Sequence, residues 1–316
     1  MPKKISCLES KEINQKLKNR QYTAIIDDLR QNRHVSLKEA LSFVPIAKST
    51  YEYNEKHPAP EPVDESQLIA DIEQVHKDNP SYGAVRITDE LHNQGQIINH
   101  KRVLRITKQH GWTINNYHKQ VRKYNSYKGE VGELADNLLN QRFFTDRPYQ
   151  KLTSDVSEFR FGGESMKERV YLAPIMDLFS DRILTFGISN HPTVNFVLEP
   201  LKEALGSIPK GLGYRTTVHT DQGFQYQNYR WVDLLKSRRI FQSMSRKATC
   251  YDNAPMEAFF SIMKAEMMTN HHYETKRELI TAMKKWIKYY NEVRIKHNLG
   301  GKSPVQYCEE VVRKAA

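Results

Sequence analysis

Cysteine is scarce in this sequence: Cys7, Cys250 and Cys308 lie far apart along 316 positions. An odd, scattered set builds no disulfide framework, and without a CxxC pair or a clustered His/Cys group it offers no zinc module. Long apolar runs are missing too, and none approaches the ~18 residues of a membrane span. Residues 1–10 carry Lys3 and Lys4 with no apolar stretch behind them, which is not the pattern of a secretory signal. There is no internal repeat and no low-complexity tract. Together these absences point to a soluble, reduced, cytoplasmic protein with no membrane partner. One local absence says more. Residues 91–129 hold no Asp or Glu, yet they carry Lys101, Arg102, Arg105, Lys108, Lys119, Arg122, Lys123 and Lys128, with His92, His100, His110 and His118 among them.

The whole chain is basic, with net charge +11 and a pI near 9.3, which favours a polyanionic partner. At 39% hydrophobic and 27% charged residues it has the composition of a folded protein. Its length suggests two or three domains. Residues 1–57 read as a helical, helix-turn-helix segment. A helix over 22–31 carries Ile25, Ile26 and Leu29, Ser36 and Glu39 form a capping-box pattern, and a third helix follows Pro45 from Lys48. Residues 58–65 are a Pro-rich linker. Residues 66–125 read as a second helix-turn-helix, with helices over 66–78, 84–93 and 100–110. Val85, Ile87, Leu91, Val103, Leu104 and Ile106 are expected inside, and Asn99 caps the last helix. That helix shows Lys101, Arg102, Arg105 and Lys108 outward, as a helix entering the major groove would. Residues 126–150 are expected as a linker running on from that basic stretch.

From residue 151 the period shortens. Strands are expected over 152–161, 170–177 and 182–188, then a helix over 194–205, a strand over 216–220, a helix over 229–237, a strand over 239–244 and helices over 253–268 and 276–293. A three-strand meander followed by alternating helices and strands is the order of a ribonuclease-H-like mixed sheet, so residues 151–312 read as an α/β core behind all-α domains. Three carboxylates stand out in it. Asp155 lies mid-strand, Asp221 follows a strand in His219-Thr220-Asp221-Gln222-Gly223, and Glu257 opens a helix after Asp252-Asn253-Ala254-Pro255-Met256. Lys264 comes seven residues later, on the same helix face. Three acids converging from separate elements suit a pair of Mg²⁺ ions, which prefer hard oxygen ligands and clamp the attacking and leaving oxygens of a phosphodiester. Lys264, Arg246 and Lys247 would then meet DNA phosphates. Glu158 faces the opposite side of an ideal strand, Asp177 reads as a turn or capping residue, His219 as a structural histidine, and Asn253 as the cap of the Glu257 helix.

With those residues in hand, residues ~20–310 resemble the insertion-sequence-three family of transposases, second-reading-frame (orfB type) products of the insertion-sequence-150 group. The resemblance rests on Thr153-Ser154-Asp155-Val156-Ser157-Glu158-Phe159, residues 170–179, His219-Thr220-Asp221-Gln222-Gly223, residues 242–247, Asp252-Asn253-Ala254, and Tyr289-Tyr290-Asn291 with Arg294 and Ser303-Pro304. Ile98-Asn99-His100-Lys101 resembles the helix-turn-helix ahead of that family's core. Departures are Leu152 in place of a usual Trp, Ala248-Thr249 in place of a Gly-containing pair, and Ser81-Tyr82-Gly83-Ala84-Val85-Arg86 in place of a Gly-Tyr-Arg-Arg form. The resemblance implies a retroviral-integrase-like catalytic core and a DDE triad of Asp155, Asp221 and Glu257 holding two Mg²⁺ ions, with Mn²⁺ as substitute. It implies cleavage and strand transfer at terminal inverted repeats of a mobile element, a homo-oligomer on paired ends, an upstream-frame product as partner, and a bacterial, nucleoid-associated setting. A regulatory or catalytically silent partner of a frameshifted fusion transposase is the alternative.

Overall fold

The structure, a computed structural model, describes residues 19–57, 64–112, 114, 134–163, 168–246, 249–269 and 271–315. The chain falls into two compact units, Met1–Glu65 and Ser66–Ala316. The first contains α1 (Asn19–Arg33), α2 (Leu37–Ser42) and α3 (Lys48–Lys56). Its small core is Ile26, Ala40 and Tyr51, while Ile25, expected inside, is exposed. The Tyr51 hydroxyl donates to Asp27 at 2.7 Å and accepts from Arg30 at 2.6 Å, so the largest core side chain keeps its polar end satisfied. Ser36 caps α2 by accepting from the Glu39 amide. The Pro-rich stretch at 58–63 lies outside the described residues.

The second unit opens with α4 (Ser66–Asp78), α5 (Ala84–Asn93) and α6 (His100–Gln109). Leu68, Ile72, Val75, Ile87, Leu91, Val103 and Ile106 form their shared core, and Asn99 accepts from the Lys101 amide to start α6. Val85 and Leu104 face outward instead, because the apolar stripe is narrower than their spacing suggests. Ile295, far along the chain, completes this core.

The remaining chain builds a mixed sheet: β1 (Lys151–Ser154), β2 (Ser157–Arg160), β3 (Arg169–Asp177), β4 (Arg182–Ser189), β5 (Thr217–Thr220) and β6 (Phe241–Met244). β1 and β2 both pair antiparallel with β3 in one unbroken register, Ser154 against Ile175 and Ser157 against Leu172. They are the two halves of the single strand expected over 152–161. The ladder lapses between them at Asp155 and Val156. Opposite Asp155 in that register stands Pro174, which has no N–H to offer either neighbouring strand. β4 pairs with the other edge of β3, while β5 and β6 continue parallel to β1.

Helices cover both faces. α7 (Val194–Ser207) and α8 (Tyr229–Ser237) lie on one side with Leu152, Ala173, Ile175 and Val218. α9 (Ala254–Met268) and α10 (Lys276–Glu292) lie on the other with Phe159, Val170, Leu172 and Met176. α7 sits unusually close to β4, and the reason is local. Pro200 lacks the N–H that would bond the Phe196 carbonyl four residues back, and that carbonyl faces Gly187, where a Cβ would lie 2.5 Å from it. A further helix, α11 (Pro304–Ala315), was not expected from the sequence. Its preceding segment holds α4–α6 to the core: Tyr82 Oη accepts from the Ile295 amide, Asn93 donates to the Gly301 carbonyl, and Asp89 pairs with His297.

Candidate active site

Asp155 follows β1, and side-chain alternation fixes its direction. Thr153 on one side of it bonds Asn253, and Ser157 on the other accepts from Lys264 Nζ at 2.6 Å; both partners belong to the α9 side of the sheet. Asp155 lies between them on that face. β1 and β5 run in parallel with Lys151 against Thr217, Leu152 against Val218 and Thr153 against His219. Two residues further, the same register sets Asp155 beside Asp221, across a strand spacing of about 4.8 Å. Each carboxylate is anchored by a backbone amide: Val156 N donates to Asp155 at 2.7 Å, and Gly223 N donates to Asp221 at 2.9 Å.

Glu257 sits in the first turn of α9 and is exposed. All three carboxyls titrate above their ordinary values. Desolvation is the leading cause for each, and Asp155 is raised further by the charges of Asp221 and Glu257, with Lys264 opposing. Asp155 and Asp221 are half-buried. Among the described residues, no group of three or more His, Cys, Asp or Glu side chains is arranged to hold a metal ion. The trio places two acids on neighbouring strand ends and a third on the facing helix. Its donors are all carboxylate oxygens under mutual repulsion that one lysine only partly offsets, which fits a hard divalent cation.

The other sequence candidates fall in different places. Lys264 lies on the inner side of α9, bonded to Ser157 and stacked 5.1 Å over the Phe159 ring. Lys101, Arg105 and Lys108 are exposed along α6 and Arg102 is half-buried there, with Arg105 also donating to Gln109. Arg246 is engaged within the protein: its backbone and guanidinium bind Asp252 through three hydrogen bonds of 2.9 Å. Asp252 is fully buried and also accepts from Asn137 and Gln141, and the Arg246 guanidinium holds its carboxyl well below the usual range. Arg122, Lys123 and Lys247 lie outside the described residues.

The decoy carboxylates behave as turn and surface groups. Glu158 faces away from α9 and pairs with Arg160 and Arg169. Asp177 is buried and accepts from the Tyr149 and Phe179 amides, and burial pushes its carboxyl up to about 6. His219 is buried between the hydroxyls of Ser243 and Ser245 at 2.8 and 3.1 Å, tying β5 to β6, and desolvation lowers its pKa. Asn253 occupies the N-cap position of α9 but makes no capping bond. Its side chain spans to β1, a role that the sequence does not reveal because the partners lie some hundred residues upstream.

Comparison with known proteins agrees along the chain. An integrase core domain family matches residues 145–250, a second integrase core domain family matches 257–311, and an HTH-like domain matches 63–120. The InsK protein of insertion sequence element IS150 from Escherichia coli is 35% identical over 285 residues, covering 90% of this chain and 96% of that one. The transposase for insertion sequence element IS904 from Lactococcus lactis is 34% identical over 256 residues, covering 80% and 97%. Among solved structures, the HTLV-2 integrase catalytic core domain in complex with magnesium is similar at 18% identity and a TM-score of 0.37, covering 51% of this chain and 96% of that chain.

Proposed function

The chain belongs to the insertion-sequence-three family of transposases, DNA-acting enzymes with an integrase core and a helix-turn-helix-like domain, and on that premise we propose that Asp155, Asp221 and Glu257 form its catalytic, metal-binding triad. The observation that carries the reading is the parallel register of β1 and β5, which sets Asp155 against Asp221 on the face that α9 covers with Glu257. Two Mg²⁺ ions, or Mn²⁺, held by these carboxylates would supply the Lewis acidity that orients an attacking oxygen and stabilises the leaving one.

The residues themselves do the rest. Asp155 and Asp221 present oxygens from rigid strand ends, and the amides of Val156 and Gly223 limit the rotation of each carboxylate. Lys264, beside Asp155, supplies the nearby positive charge that draws a phosphate toward the acidic edge. The exposed cations Lys101, Arg105 and Lys108 on α6, with Arg102 beside them, hold the DNA duplex by its phosphates, and Arg122, Lys123 and Lys247 add to that phosphate binding. Arg246 adds to it only with the part of its guanidinium that Asp252 leaves exposed. The reaction is cleavage at the terminal inverted repeats of a mobile element and joining of the freed ends to target DNA. It proceeds in a homo-oligomer that pairs two ends, with the upstream-frame product as partner, in the bacterial cytoplasm at the nucleoid. Among the described residues no helix is long and apolar enough to cross a membrane.

The test is to incubate purified protein with Mg²⁺ and DNA carrying the element and its flanks, alone and with the upstream-frame product. Cuts confined to the element ends, followed by joined products, are expected. Random nicking, or no cutting in either combination while DNA binding persists, would remove the strand-transferase reading.

A further inference from the structure

Glu257 stands on a helix and Asp155 on a strand, so the separation of the two acids depends on how the start of α9 is held against β1. Helix packing holds the far part: Phe259, Phe260 and Met263 sit in the core beneath the sheet. At the near end the contact is polar and specific. Asn253 Oδ1 accepts from Thr153 Oγ1 at 2.7 Å, and its Nδ2 donates to the Ser154 carbonyl at 3.2 Å. Ser154 is the residue before Asp155, and Glu257 lies one helical turn beyond Asn253 on the same side. The preceding residue is held as tightly, since buried Asp252 is gripped by Arg246, Asn137 and Gln141.

We infer that Asn253 is a positioning residue for the reaction: it bridges the strand carrying Asp155 to the helix carrying Glu257 and so sets the spacing of the metal-binding carboxylates. The inference rests on the triad reading above. Helix capping does not explain this asparagine, because its side chain makes no capping bond. It is 5% exposed, and both ends of its amide are used on β1. Repulsion among three acids tends to drive the helix start away from the strand, and a two-ended amide bridge at that point opposes it. The Lys264–Ser157 bond opposes the same movement about three turns further along.

The experiment compares the full chain with Asn253→Ser, Thr153→Val, Asp155→Asn and Glu257→Gln. For each, thermal unfolding is followed without metal and across a Mg²⁺ titration, and cleavage of element-end DNA is measured in parallel. Serine is too short to reach both β1 partners, so both buried hydrogen bonds of the bridge are lost. Asn253→Ser is therefore expected to lower the metal-free melting temperature by a few degrees, and on top of that loss the Mg²⁺ concentration giving half the stabilisation rises roughly 10–100-fold. Mn²⁺ should restore part of the cleavage. Thr153→Val removes one of the two bonds and should shift the Mg²⁺ midpoint in the same direction by less. An unchanged midpoint in Asn253→Ser overturns the inference, as does an unchanged midpoint in Thr153→Val should Asn253→Ser fail to fold. A Mg²⁺ response that survives in Asp155→Asn and Glu257→Gln overturns the triad reading itself, and this inference with it.

Discussion

Removing Arg294 should cost the second unit a predictable amount of stability. Its Nε and Nη2 donate to Glu266 at 3.0 and 2.9 Å, while Trp286 Nε1 donates to the same carboxylate at 3.1 Å and the Arg86 guanidinium lies 3.8 Å away. The pair is 5% and 9% exposed, so water cannot take the place of a missing partner. Arg294→Met keeps the apolar bulk and strands the glutamate, and breaking a buried pair in this way costs about 3–5 kcal/mol. Arg86 remains near enough to soften the loss toward the lower figure. In a body the size of Ser66–Ala316, each kcal/mol lowers Tm by about 2–4 °C, giving a fall of roughly 6–20 °C. Urea unfolding checks the figure directly, through a lower midpoint at unchanged m-value. The double variant Glu266→Gln with Arg294→Met removes both charges of the pair and should recover part of the loss, the Arg86 guanidinium then losing its carboxylate neighbour. A loss below about 1 kcal/mol, the range of exposed pairs, would refute the claim that this pair is desolvated.

Because the native carboxyls of Asp155, Asp221 and Glu257 titrate above their unfolded values, the folded chain holds more protons than the unfolded one across that interval. Metal-free stability therefore falls as pH rises through it. Asp155→Asn should raise the metal-free melting temperature at neutral pH and abolish the Mg²⁺-induced rise; a fluorimetric melt in which that rise persists would count against the site. Changing Lys101, Arg105 and Lys108 to Gln should weaken DNA binding and reduce the slope of log affinity against log salt by about 0.9 for each phosphate no longer neutralised, and an unchanged slope would take α6 off the DNA. Gly187→Ala should cost about 1–3 kcal/mol in unfolding measurements, since its Cβ meets the Phe196 carbonyl at 2.5 Å; a neutral result would mean that α7 moves aside freely.

What could be read from the sequence was what is local and periodic. α4, α5 and α8 span the residues that their apolar spacing predicts, and α6 ends within one residue of expectation, because each is amphipathic and bounded by Asn, Gly or Ser signals. The three acids were visible as words in the sequence, but the pairing that sets Asp155 beside Asp221 appears only with the parallel register of β1 and β5. What was not legible depends on distant partners. The strand over 152–161 divides because of Pro174, which only the β3 pairing brings opposite Asp155. Asn253 reads as a cap until Thr153 and Ser154 are seen beside it, and Arg246 reads as a DNA-binding residue until buried Asp252 is found on its guanidinium. Val85 and Leu104 look like core residues because helical spacing alone does not tell how wide the covered stripe is.

The central claim, that three carboxylates gathered at the β1–β5 edge and the start of α9 perform strand cleavage, is tested most directly by one comparison. Single-turnover cutting of element-end DNA in Mg²⁺ is measured for the parent chain and for Glu257→Gln, with DNA affinity determined for both. The account predicts end-specific cutting by the parent, loss of cutting in the variant and equal DNA affinity. Cutting that survives in Glu257→Gln at the parental rate would contradict it.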